Sequence, residues 1–222
     1  MKQPDYMENG DGSYKTRTFV FESHKESLTV KIIEMMDPSY GMYVWPCSPV
    51  LAQYLWFNRE HIKGKRILEI GAGTGLPGIL AALLGARVTL SDSSPLGLKN
   101  CQRNVEANGL TANELGPIDI ILGSDCFYDP KDFENIIVTV SYLLHQNPHG
   151  RFWCTYQIRS ADYSMEGLLG SGIWSASKFH SKTLRQTRQP RRLGPPGLAH
   201  YRDARNERQH NRGTRCLDKA KT

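Results

Sequence analysis

At 222 residues the chain has room for one sizeable domain with an appendage. Its formal net charge of +6 is unevenly placed: residues 170–222 carry 13 Lys and Arg against 3 Asp and Glu, so the basic character belongs to the tail and gives the rest no reason to bind nucleic acid. The cysteines Cys47, Cys101, Cys126, Cys154 and Cys216 form no C-x-x-C pair and leave one over, which suits reduced thiols in a soluble intracellular chain, and no apolar run has the length of a membrane span or the shape of a leader.

In chain order, residues 1–16 are polar and predict a flexible N-terminus. Two β-rich runs, 18–22 and 27–33, flank a polar turn at His24-Lys25-Glu26 and predict a hairpin. Val44-Trp45-Pro46 then leads into a helix with Ser48 as its expected cap, Pro49 in its first turn, and Val50, Leu51, Tyr54 and Leu55 on one face. Trp45 serves either core packing or a ligand wall.

The most informative stretch runs from Arg66 to Gly78. Ile67, Leu68 and Ile70 suit a buried parallel strand, Glu69 follows its apolar residues, and the glycines at 71, 73, 75 and 78 allow positive φ or close approach of a ligand to the backbone. Pro77 fits a first helical turn, an apolar helix continues to Gly85, and a second strand, 87–90, delivers Asp92 about twenty residues past the first glycine. This is a βαβ nucleotide-binding unit.

The string Gly73-Thr74-Gly75-Leu76-Pro77-Gly78 also satisfies the dinucleotide fingerprint, and Glu69 discriminates. A carboxylate just ahead of the glycines would face a pyrophosphate in an NAD or FAD site, but it suits the sulfonium and ammonium of S-adenosyl-L-methionine. At about 5 Å and an effective dielectric near 20, that attraction is roughly 3 kcal/mol before desolvation. Asp92 would accept from ribose hydroxyls in either case.

Ser94 and Pro95 open the next helix, with Leu98, Cys101 and Val105 as its expected apolar face and Asn108-Gly109 as its end. Residues 118–125 read as a buried strand with Asp125 at its carboxyl end, the edge where open α/β sheets bind ligands. Asp129-Pro130 starts a helix with Phe133, Ile136, Ile137, Val140, Leu143 and Leu144 at helical spacing, and 151–156 follows as a fifth strand.

Four features together, Val44-Trp45-Pro46, the Glu69-x-Gly71-x-Gly73-x-Gly75 loop, Asp92 and the acid-x-x-Tyr motif Asp125-Cys126-Phe127-Tyr128, resemble the family 16 class of S-adenosylmethionine-dependent protein methyltransferases over roughly residues 17–169. The resemblance implies an α/β fold of the Rossmann-like class I methyltransferase type with S-adenosyl-L-methionine as cofactor. It implies that Trp45, Glu69, Gly71, Ala72, Gly73, Gly75, Asp92 and Ser124 serve the cofactor and that Asp125 and Tyr128 border the acceptor. That acceptor would be a side-chain nitrogen of a protein substrate, usually lysine and, for the member most resembled, an arginine of a histone in the nucleus or cytoplasm. Asp125 would hold or deprotonate the cationic acceptor or cap the following turn; Tyr128 would shape the pocket or pack.

Two departures from the family pattern stand out. Only residues 109–117 separate Gly109 from Ile118, with neither a β run nor the Trp that family members place against adenine after a third strand, so the fold is expected to lack that strand. A direct step from the second strand to the fourth reverses direction and, with the helix on its usual face, makes a left-handed crossover, the hand of about 2% of such units. From Gly170 on, 13 of 53 residues are apolar and show no periodicity, so the final antiparallel strand pair is also expected to be missing and 170–222 to form a disordered basic tail. That tail would contact nucleic acid weakly if at all.

Overall fold

The computed structural model describes residues 14–35, 42–111, 116–157, 179–184 and 214–219. A hairpin of β1 (Tyr14–Glu22) and β2 (Ser27–Met35) leads to helices α1 (Cys47–Phe57) and α2 (Arg59–Ile62). The glycine-loop unit follows as β3 (Arg66–Ile70), α3 (Leu76–Leu83) and β4 (Arg87–Ser91). After it come α4 (Pro95–Ala107), β5 (Ile120–Ser124), α5 (Pro130–Gln146), β6 (Arg151–Gln157), β7 (Phe179–Leu184) and β8 (Thr214–Lys219). These strands, other than the hairpin, form one sheet in the order β4-β3-β5-β6-β8-β7, parallel through the first four and antiparallel at β8.

Strand alternation sorts the core into two layers. Ile67, Val88, Ile120, Leu122 and Trp153 face the layer built by α1, α3 and the hairpin. Leu68, Ile121, Phe152, Cys154 and Tyr156 face α5, which contributes Phe133, Ile137, Val140 and Leu144. The caps of α4 and α5 are those expected: the Ser94 hydroxyl accepts from the Gly97 N–H and Asp129 from the Lys131 N–H. Helix α1 differs, beginning at Cys47 with Pro46 at its cap and no side-chain cap from Ser48, because the Ser48 N–H already donates to the Trp45 carbonyl at 2.9 Å.

Among the described residues no strand lies beyond β4, as expected. Helices α3 and α4 share one face of the sheet, since Val105 and Leu110 pack on the same core as Ile79 and Leu80. The chain steps outward from β3 to β4 and back across β3 to β5, so two crossovers with helices on one face have opposite hands. One of them is therefore the rare left-handed kind. Of the expected apolar stripe Cys101 is buried and Val105 packs on the core, but Leu98 is exposed, and Asn100 and Asn104 are buried beside them. Asn100, Asn104 and Asn108, four residues apart, hydrogen-bond the backbone of β2 at Ile33 and Lys31 as a neighbouring strand would.

The expectation of a missing C-terminal strand pair is corrected. β8 pairs with the free edge of β6, Cys154 opposite Leu217, and β7 pairs with β8, Lys182 opposite Cys216, so six residues of each complete the sheet. Such a ladder is made by backbone N–H and C=O groups, and it forms without the apolar periodicity whose lack suggested disorder. Residues 1–13 of the expected flexible N-terminus, and 170–178, 185–213 and 220–222 of the expected tail, lie outside the described residues. Among the described residues no helix is long and apolar enough to cross a membrane, and no group of side chains is placed to hold a metal ion.

Candidate active site

A cleft of about 660 Å3 opens at the carboxyl ends of β3, β4 and β5. Trp45, Gly71, Gly73, Asp92, Ser124, Asp125 and Tyr128, seven of the residues singled out from the sequence, line it together. Trp45 stands edge-on to Tyr43 at 5.6 Å between ring centres, which makes it a partly buried wall rather than core. Gly71 and Gly73 adopt φ of +60° and +53°, the left-handed region that admits glycine most easily, and this turns the loop across the strand end. Asp92 ties the loop to the next helix, its Oδ2 accepting from the Gly73 N–H at 2.8 Å and its Oδ1 from the Ser94 N–H at 2.9 Å.

Ala72, Gly75 and Glu69 are not on the wall. The Ala72 N–H donates to the Ser91 carbonyl and the Gly75 N–H to the Ala72 carbonyl, so these two build the turn from beneath. Glu69 requires a correction. It points to the α3 side of the sheet, wholly buried, with Oε2 accepting from the Gly78 N–H at 2.8 Å and Oε1 without a hydrogen-bond partner. Burial pushes its carboxyl up to about 8 despite the Gly78 N–H, and the nearby Asp92 charge adds to the rise. A carboxyl of that kind is mostly neutral at pH 7, so it does not place a negative charge at the ligand. The loop itself, by its internal hydrogen bonds, is what disfavours a dinucleotide. The N–H groups of Ala72, Gly73, Gly75 and Gly78 are all bound internally, which leaves a pyrophosphate few of the amides it needs. Gly78 allows this because a Cβ there would lie 2.5 Å from Glu69 Oε2 and 2.3 Å from Leu90.

Asp125 follows β5 at φ +56°, the one non-glycine residue with positive φ among those described. Its N–H donates to the Thr155 carbonyl at 2.7 Å, and its carboxylate accepts from the Gln157 N–H at 3.4 Å. The cap of α5 is Asp129, which leaves the Asp125 carboxylate on the cleft wall, buried at 5% exposure, beside the half-exposed Tyr128. The far wall was not foreseen. Asp132, Asn135, Ile136 and Thr139 project from α5 at helical spacing, a pattern present in the sequence but hidden beneath the stronger apolar stripe. Asp92, Asp125 and Asp132 thus give the cleft three carboxylates, and among the described residues no Lys, Arg or His lines it.

Acidic walls, a glycine turn at the first strand and an antiparallel strand inserted at the far side of a parallel sheet define the Rossmann-like methyltransferase class. A solved methyltransferase structure from Agrobacterium tumefaciens described as S-adenosylmethionine-dependent superposes with a TM-score of 0.56 at 16% identity, over 97% of this chain and 72% of its own. A profile of the lysine methyltransferase family matches residues 24–166, and the chain belongs to that family of S-adenosylmethionine-dependent protein methyltransferases. It is 52% identical over 162 residues to histone-arginine methyltransferase METTL23 of Xenopus laevis, covering 65% of this chain and 69% of that protein. It is 35% identical over 149 residues to protein N-lysine methyltransferase METTL21A of Mus musculus, covering 59% and 66%.

The residues present fit S-adenosyl-L-methionine, the cofactor of the family. Asp92 keeps lone pairs for ribose hydroxyls beyond its two backbone bonds, and the buried Ser124 hydroxyl on the wall has no partner among the described residues. The Gly71 to Gly73 backbone, Asp92, Ser124 and Trp45 are the groups that would hold it.

Proposed function

We propose that the chain methylates a side-chain nitrogen of a protein, an arginine of a histone, in the nucleus and cytoplasm. The observation that carries this is the cleft itself, with Asp92, Asp125 and Asp132 on its walls and, among the described residues, no basic side chain to oppose a cation. When bound, the cofactor supplies an electrophilic methyl on a sulfonium. The protein's task would then be alignment, so that an N–C bond would replace the S–C bond and the nitrogen would give up a proton. Asp125 would accept an N–H of the acceptor and take that proton, directly or through a water, while Tyr128 bounds the channel. At about 4 Å and an effective dielectric near 20, each carboxylate–cation contact is worth roughly 4 kcal/mol before desolvation. The METTL23 relative, named for histone arginine, supports the acceptor assignment.

Lysine of a non-histone protein is the second reading, favoured by the name of the METTL21A relative and equally suited to acidic walls. A third is a binding module without turnover, favoured by the open flank of β4 where family members place the adenine wall. Mass spectrometry of histones and other nuclear proteins incubated with the chain and labelled cofactor distinguishes them. Methyl-arginine on histone that vanishes with Asp125→Asn, while cofactor binding persists, supports the first. Methyl-lysine elsewhere supports the second, and binding without any labelled product the third. Full turnover by Asp125→Asn removes Asp125 from the chemistry.

A further inference from the structure

Two neighbouring residues of β2 are tied to two separate segments that line the cleft. Glu34, buried at 3% exposure, accepts on one carboxylate oxygen from the Val44 N–H at 2.9 Å and from Arg17 Nη1 at 3.0 Å. Val44 immediately precedes Trp45, and the Trp45 carbonyl is held in turn by the Ser48 N–H at the start of α1. The strap bearing the Trp45 wall is therefore pinned at both ends. One residue earlier, Ile33 donates its N–H to Asn104 Oδ1 at 2.7 Å. The Asn104 amide reaches onward to the Thr74 carbonyl at 3.0 Å, inside the glycine loop and next to Gly73, which also lines the cleft. Asn104 has no measurable exposure and Thr74 only 2%, so the link between them runs through dry interior, where a broken hydrogen bond is not replaced by water.

We infer that Ile33–Glu34 is a strut that fixes the Trp45 strap relative to the glycine loop, and that Glu34 and Asn104 are positioning residues for the cofactor although neither touches it. The inference rests on the assignment of this cleft to S-adenosylmethionine. It makes the N-terminal hairpin part of the binding site and not merely a cover for α3 and α4. Asn108, one turn along α4, bonds both backbone groups of Lys31 but has no bond to the glycine loop, so it is a natural control.

Calorimetric titration of the full chain with S-adenosylhomocysteine tests it. Glu34→Ala and Asn104→Ala should each weaken binding about tenfold. Glu34→Gln should keep the parent affinity, because its amide oxygen still accepts the Val44 N–H. Asn108→Ala should lower the unfolding temperature and leave affinity alone. Parent affinity in both alanine variants, or an Asn108→Ala loss as large as that of Asn104→Ala, overturns the strut. The two arms are independent, so Asn104→Ala decides the matter if Glu34→Ala does not fold. No binding by the parent chain overturns the cofactor assignment and the strut together, whereas binding by the parent and equal binding by the variants overturns the strut alone.

Discussion

The Glu69 carboxyl lies where water does not reach, one oxygen on the Gly78 N–H and the other unpartnered, and this makes its proton a stability variable. Its usual value is 4.5 and its folded value about 8, so between those limits the folded chain holds a proton that the unfolded chain has lost. Stability from this group is complete below about pH 4.5, falls as pH rises through the window and is flat above about 8. The swing is on the order of 5 kcal/mol, an upper figure for so enclosed a group. Glu69→Gln keeps an acceptor for the Gly78 N–H and has nothing to ionise. Urea unfolding between pH 5 and 8.5 should give a nearly flat profile for this variant and a falling one for the parent. Its cofactor affinity at pH 7 should stay within about threefold of the parent, since a mostly neutral acid and an amide differ little in charge. A large loss of affinity would return Glu69 to the direct electrostatic role that its place before the glycines first suggests.

At the scale of elements, α4 is held by amides as well as by apolar surface. Asn108→Ala removes two hydrogen bonds to Lys31 at the partly solvated end of the ladder, at a cost of about 1–2 kcal/mol. The Lys31 amide should then exchange with solvent faster by hydrogen-exchange measurement; unchanged protection would mean that packing alone docks the hairpin. The same ladder shows where sequence periodicity fails. Leu98, Cys101 and Val105 are legible as a helical stripe, but three asparagines at a spacing of four occupy the neighbouring face, and asparagine reads as solvent-facing unless an open strand edge is known to lie opposite. β3, α3 and β4 were legible because buried parallel strands and a glycine turn leave strong local signals. The seven wall residues were legible because they sit at strand ends or in short motifs. β7 and β8 were not, since pairing to the β6 edge depends on backbone groups brought from far along the chain.

For the whole molecule the decisive fact is the bare flank of β4. The Arg87 N–H bonds the Lys65 carbonyl and the Ser91 carbonyl accepts from Ala72, so alternation turns the N–H and C=O groups of Val88 and Leu90 outward, where no described strand meets them. Beside them lies a hollow of about 550 Å3, walled by Leu90, Leu98, Cys101, Val105 and Leu110. A third strand in its usual place would cover both the edge and the hollow, and it would carry the connection back to β5 without a crossover of the rare hand. The chain loses that burial and keeps the topological cost, so it should unfold well below a family member that has the strand. If the missing burial amounts to about 3–4 kcal/mol, the difference is roughly 6–16 °C for a domain of this size. Restoring a family third strand between Gly109 and Pro117 should recover most of the gap, and it should slow aggregation, because an uncovered edge of this kind pairs readily with other chains. Calorimetric scans of the two forms side by side check this, and equal unfolding temperatures would mean that α4 and its asparagine ladder already make up for the strand.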